Sequence, residues 1–244
     1  MKIISVIPAR YQSTRFPGKP LVDIKGKTMI QRVYEQVNNT KLIDEVYVAT
    51  DNKQIFNHVK SFGGKTIMTS ENHESGTDRI QECIQLLNSD ADFIINIQGD
   101  EPFIKPEQID DLCKKVNKQT EIITMYHSID NIDDILNENK VKVVFNKNSE
   151  AIYFSRAPIP FQKSIDYKNW KIKNNYFGHI GIYGYSVSAL NNITKLKTSN
   201  LEQLESLEQL RWIENGYKIT VVESKYQSIG IDTPEDLKYA ISKM

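Results

Sequence analysis

The sequence predicts an α/β fold, a mainly parallel open sheet with helices on both faces and a small β-rich insertion. Three observations lead there. Strand-like and helical runs alternate through the first half of the chain, the pattern of repeated β-α-β units. The runs Ile3–Ile7 and Phe93–Ile97 are almost wholly apolar, as strands buried on both faces are. No internal repeat or linker divides the 244 residues, so residues 1–244 form one domain of ordinary size. The β-rich insertion falls around residues 126–186, on the substrate side of the domain.

The elements follow in order. Ile3–Ile7 is the first strand, and residues 8–20 form a loop stiffened by Pro8, Pro17 and Pro20. A helix covers Thr28–Asn38, because Met29, Ile30, Val33, Tyr34 and Val37 share one face at helical spacing. Val46–Ala49 is a strand, and Ile55–Phe62 a helix closed by Gly63-Gly64. Thr66–Met68 is a short strand, Asp78–Leu87 a helix, and Phe93–Ile97 a central strand. Pro106 opens a helix that runs to about Val116, since proline is tolerated in a first turn. Beyond it, Val141–Phe145 and Ala151–Ser155 form strands around a turn at 146–149. Residues 161–177 are polar and aromatic and read as a mobile loop. His179–Ser186 is a strand, Leu201–Glu214 one leucine-rich helix, Lys218–Glu223 a strand and Pro234–Lys243 a closing helix.

Composition narrows the function. The chain is 39% hydrophobic and 25% charged, values of a water-soluble globular domain. Its 31 basic and 31 acidic residues cancel, so bulk attraction to nucleic acid or an anionic membrane is not indicated. No run approaches the ~20 apolar residues of a membrane span, and the N-terminal run is too short for a signal peptide. Cys83 and Cys113 stand alone in helical segments and read as small buried groups, which fits a reducing cytoplasm.

Ligands of open α/β sheets bind beyond the carboxyl ends of the strands. Three unusual loops follow predicted strands directly, and all three should open on that edge. PARYQSTRFPGKP, residues 8–20, supplies Arg10, Arg15 and Lys19 with the hydroxyls of Ser13 and Thr14. Arginine suits bidentate phosphate contact and lysine a compact charge. Neither a Walker loop nor a GxGxxG fingerprint is present. TSENHESGTDR, residues 69–79, sets Ser75-Gly76-Thr77 before a helix. It fits contact with an anion or base edge, or simple capping by Ser75 or Thr77. His73-Glu74 lacks the second histidine of a zinc motif. In QGDEP, residues 98–102, Asp100 and Glu101 leave a buried strand after Gly99, where hard oxygen ligands suit Mg²⁺. Asp232, in GIDTPEDL, is either a second ligand or part of a helix start. Phosphate-binding cations beside a metal carboxylate point to phosphoryl or nucleotidyl transfer.

Seven blocks, PARYQSTRFPGKPL, ESGTDR, NIQGDEP, YFSRAPIP, HIGIYGY, LEQLESLEQLRWIENG and GIDTPEDL, occur in this order over nearly the whole chain. They closely resemble the 3-deoxy-D-manno-octulosonate (Kdo) cytidylyltransferases, or CMP-Kdo synthetases. The resemblance implies a nucleotide-diphospho-sugar transferase-like fold and the reaction CTP + Kdo → CMP-Kdo + pyrophosphate, with Mg²⁺, in lipopolysaccharide biosynthesis. It implies that Arg10, Ser13 and Lys19 hold the triphosphate and that Ser75, Gly76 and Arg79 seat the cytidine. Asp100 and Asp232 would hold magnesium, as one ion or two. Gln98, Arg156, His179, Glu208 and Gln209 would line the sugar pocket, where a cation such as Arg156 suits the Kdo carboxylate. Relatives are homodimers, and the stretch 126–186 is the expected interface.

CMP transfer to 8-amino-Kdo or to a sialic-acid-like sugar stays open. A metal-dependent glycosyltransferase also sets an acidic motif at a strand end, but handles two phosphates and needs no such basic loop. A silent nucleotide-binding regulator would be free to lose Asp100 or Lys19, and both are present.

Overall fold

The computed structural model describes residues 1–12, 16–170, 176–226 and 230–242. The expectations for Ser13, Thr14, Arg15, residues 171–175 and Lys243 lie outside them. The first half comprises β1 (Ile3–Ala9), β2 (Asp23–Ile24), β3 (Lys27–Thr28), α1 (Met29–Asn38), β4 (Glu45–Thr50), α2 (Lys53–Ser61), β5 (Thr66–Met68), α3 (Gly76–Leu87), β6 (Phe93–Asn96) and α4 (Pro106–Cys113). The second comprises β7 (Ile122–Ser128), α5 (Ile132–Leu136), β8 (Lys142–Phe145), β9 (Ala151–Ser155), β10 (Phe177–Ser186), α6 (Val187–Ile193), α7 (Asn200–Glu205), α8 (Gln209–Glu214), β11 (Ile219–Glu223) and α9 (Pro234–Ser242).

The main sheet has the order β11-β7-β10-β6-β1-β4-β5. Four of its six neighbour pairs are parallel, and β10 runs antiparallel to both β6 and β7. Strand alternation divides the core. Ile3, Ile7 and Ile95 face a layer that includes Ile30, Val33, Ile55 and Ile109 of α1, α2 and α4. Ile4, Val6 and Ile94 face Ile80, Leu190 and Trp212 of α3, α6 and α8. Each such side chain contributes about 1.5–3 kcal/mol on burial. Trp212 adds edge-to-face contacts with Tyr183 and Tyr185 of β10.

Local signals start the helices. Thr28 accepts from the Gln31 amide at the head of α1, Ser75 accepts from the Asp78 amide at the head of α3, and Pro106 opens α4. Both cysteines are buried and unpaired, and burial pushes each thiol up to about 12.

Three expectations need correction. The leucine-rich stretch 201–214 is two helices, because Ser206 adopts a left-handed conformation (φ 51°) and Arg156 Nε takes the Glu205 carbonyl at 2.7 Å. A carbonyl so engaged no longer serves the next helical turn. The stretch 126–186 is not wholly an insertion: β10 is a central strand and β7 its neighbour, while β8 and β9 form a side hairpin. Within 161–177, Trp170 is anchored, 8% exposed and stacked on Tyr176 in a cluster with Ile129 and Ile135.

Candidate active site

A cleft of about 310 Å³ opens beyond the carboxyl ends of β1 and β6, against the first turn of α3. All three unusual loops and the 230s segment line it. Gly99 lets them approach: a Cβ there would lie 3.0 Å from the Pro8 carbonyl oxygen. Gly18, at φ 72°, turns the first loop back so that its amide bonds the Tyr11 carbonyl at 3.0 Å. Lys19 follows immediately in a single 3₁₀ turn over buried Pro20.

The Lys19 ammonium donates to Asp100 Oδ2 at 2.7 Å and to Asp232 Oδ1 at 3.1 Å. These residues are separated by 81 and 213 positions in the chain. The Asp100 carbonyl also accepts from the Ile231 amide at 2.9 Å, which ties the two carboxylate segments by backbone. Asp232 enters α9, where Asp236 Oδ2 accepts from the Asp232 and Thr233 amides. Asp232 is thus at a helix start and also faces the cleft.

This donor set fits a hard divalent ion. Two carboxylates already share one cation, the Lys19 ammonium, and their oxygens suit Mg²⁺. Among the described residues no group of three or more His, Cys, Asp or Glu side chains converges. The fit is to an ion that takes few protein ligands and completes its shell with water and phosphate oxygens.

Arg10 is exposed at the cleft wall. Ser75 both receives the Asp78 amide and donates to the Asp78 carboxylate at 2.9 Å, so it caps α3 while lining the cleft with Gly76. Arg79 lines the cleft too, but is 3% exposed and engaged elsewhere. It donates to Asp51 Oδ2 at 2.6 Å, Thr69 Oγ1 at 2.7 Å and the Ser70 carbonyl. Gln98 lines the cleft and donates to Asn96.

Of the five residues expected beside the sugar, Gln98 lines this cleft and the other four, Arg156, His179, Glu208 and Gln209, lie outside its lining. Arg156 donates to the carbonyls of Glu205, Glu138 and Ser206, binding the end of β9 to the α7–α8 corner. Glu205 returns the contact, accepting from Ser155 Oγ and the Arg156 amide. His179 sits before a bulge in β10, where its ring packs on Phe154 and Tyr183. Thr124 Oγ1 uses its proton on the Ile182 carbonyl at 2.7 Å, so it accepts from His179 Nε2 at 2.9 Å. Burial lowers the His179 pKa to about 3. Gln209 is buried at the start of α8. Glu208 accepts from Thr77 Oγ1 at 2.8 Å, and burial raises its pKa against that bond and the Arg211 charge.

Two site residues escaped the sequence reading. His73, set in the sequence only against a zinc motif, lines the cleft with Nε2 2.5 Å from Glu82, nine positions on. Asp51, just after β4, is the partner of Arg79, and nothing in its own segment signalled that.

A cytidylyltransferase family model matches residues 4–219. The 3-deoxy-manno-octulosonate cytidylyltransferase of Parabacteroides distasonis is 52% identical over 99% of this chain and 98% of its own. That of Thermodesulfovibrio yellowstonii is 52% identical over 98% and 97%. The structure of CMP:2-keto-3-deoxy-manno-octonic acid synthetase complexed with CTP superposes with a TM-score of 0.92. It is 42% identical and covers 100% of this chain and 98% of its own.

Proposed function

The chain belongs to the cytidylyltransferase family, and we propose that it catalyses CTP + Kdo → CMP-Kdo + pyrophosphate. The observation that carries this reading is the meeting of Lys19 with Asp100 and Asp232 in the cleft that the other two loops also line. Full-length likeness to enzymes named for this reaction supports the choice of nucleotide and sugar.

In the proposed reaction the anomeric hydroxyl of Kdo gives up its proton to solvent as its oxygen forms a bond to the α-phosphorus of CTP, and the bond from that phosphorus to the bridging oxygen breaks. Pyrophosphate leaves with the bonding electrons. Such transfers depend on positioning and charge neutralisation more than on covalent help from the protein. Lys19 and Arg10 offset negative charge on the departing phosphates. Ser75 and Gly76, at the head of α3, hold the nucleoside end by backbone and hydroxyl contact. Arg79, engaged with Asp51, shapes that wall. Asp100 and Asp232 would hold Mg²⁺, which supplies Lewis-acid stabilisation of phosphate charge when bound. Arg156, His179, Glu208 and Gln209 form the sugar side.

A cytoplasmic location and a homodimer complete the proposal. Both cysteines are unpaired, and Ile152 on the side hairpin is 57% exposed, as an interface residue of an isolated chain would be. No helix among the described residues is long and apolar enough to cross a membrane.

The test is pyrophosphate release with each of the four nucleoside triphosphates, with and without Kdo, 8-amino-Kdo and a sialic acid. Release that needs both CTP and Kdo is expected. Release without Kdo, or with equal rates for all four nucleotides, contradicts the proposal.

A further inference from the structure

We propose that Thr77 is a positioning residue for this reaction: its hydroxyl fixes Glu208 and so joins the nucleotide wall of the cleft to the sugar side. The role rests on the proposed function for the identity of the two substrates, and on geometry for the link.

Thr77 is the second residue of α3, directly after Ser75 and Gly76, which line the cleft. A hydroxyl there could face solvent, yet Thr77 is only 2% exposed. Its Oγ1 donates at 2.8 Å to Glu208, which lies 131 residues on at the head of α8. One small side chain therefore ties two elements: the helix start that lines the cleft and the corner that carries Glu208 and Gln209. Ser75, in the same turn, spends its own proton on the Asp78 carboxylate, so Thr77 is the hydroxyl of this turn that holds Glu208. Nucleotide contact with the 75–77 turn thus bears directly on where the Glu208 carboxylate points.

The groups that face Glu208 are Ser75 at the cap of α3, Thr77 and Asp78 from α3, Tyr183 and Tyr185 from β10, and Arg211 from α8. Burial and Asp78 favour the protonated carboxyl, while Thr77, Ser75 and Arg211 favour the carboxylate. Removing the Thr77 donor shifts that balance towards the protonated form.

The experiment compares Thr77→Val, which keeps shape and loses the donor, with Thr77→Ser, which keeps the donor. For Thr77→Val the Kdo KM rises about 10- to 100-fold and the CTP KM changes by less than about threefold, the loss of one bond to a charged acceptor. The acidic limb of kcat/KM for Kdo moves to higher pH. Thr77→Ser returns both quantities towards wild type. Equal loss for CTP and Kdo, an unmoved acidic limb, or no rescue by serine overturns the role. If wild-type protein shows no Kdo-dependent release, the proposed reaction falls and this role with it; if wild type turns over and Thr77→Val matches it, the role alone falls.

Discussion

Lys19 Nζ lies 2.7 Å from Asp100 Oδ2, with Asp232 Oδ1 at 3.1 Å from the same nitrogen. A loop that follows the first strand, a loop that follows the sixth and a segment that leads into the last helix converge on one ammonium. At such distances in a partly buried cleft, opposite charges attract by several kcal/mol before desolvation is counted.

That contact sets up a competition. Lys19 stands where a divalent ion would be held, and a triphosphate would draw the ammonium away. Lys19→Met is expected to raise the CTP KM at least about tenfold, the loss of a charge-assisted contact. It is also expected to strengthen Mn²⁺ binding to nucleotide-free protein, read by electron paramagnetic resonance. Unchanged Mn²⁺ affinity would show that the ammonium does not compete.

Arg79 and Asp51 form an ion pair in which the arginine is 3% exposed. Removing one partner leaves the other poorly solvated. Arg79→Met and Asp51→Asn are each expected to cost about 3 kcal/mol in urea unfolding, and the double variant much less than the sum. Additive losses would argue against the pair as the source of stability.

His179 carries a pKa lowered to about 3 by burial, against about 6.5 in an unfolded chain. Below pH 6.5 the unfolded state binds the proton and the folded state does not. Stability is therefore expected to fall as pH drops from about 6.5 towards 3, and to be flat for this group above 6.5. The ring keeps some solvent access, so the loss is smaller than for a sealed imidazole. His179→Asn should flatten the acid limb in denaturation series from pH 7 to 4. An unchanged slope would place the proton uptake elsewhere.

Glu205 joins β9 to the α7–α8 corner through Ser155 Oγ and the Arg156 amide. Glu205→Gln keeps the shape and weakens both acceptances, costing about 1–3 kcal/mol. The Kdo KM is expected to rise more than the CTP KM, because Glu208 and Gln209 lie just beyond that corner. Equal changes in the two constants would count against this link.

The first half of the fold was legible in the sequence because its strands are apolar and its helices carry local start signals. Thr66–Met68 and Ala151–Ser155 have the bounds expected of them, and α1 differs by one residue. β7 is not legible as a strand, although Ile122-Ile123 open it: Thr124, Tyr126 and His127 give a mixed pattern, and Thr124 spends its hydroxyl on the bulge in β10. The break at Ser206 was hidden because the leucine period continues across it, while the cause, Arg156, lies 50 residues away. Lys19, Ser75 and Asp100 were readable as residues that follow strands with no core role to play. The Thr77–Glu208 and Arg79–Asp51 contacts were not, since periodicity carries no information on which distant side chains meet.

Turnover of Asp100→Asn at saturating Mg²⁺, CTP and Kdo, with folding checked by thermal melting, tests the shared triphosphate and metal pocket most directly. A fall of at least about 100-fold with a near-normal melt is expected for loss of a charged group that acts on the transferring phosphate. Near-wild-type turnover would contradict it.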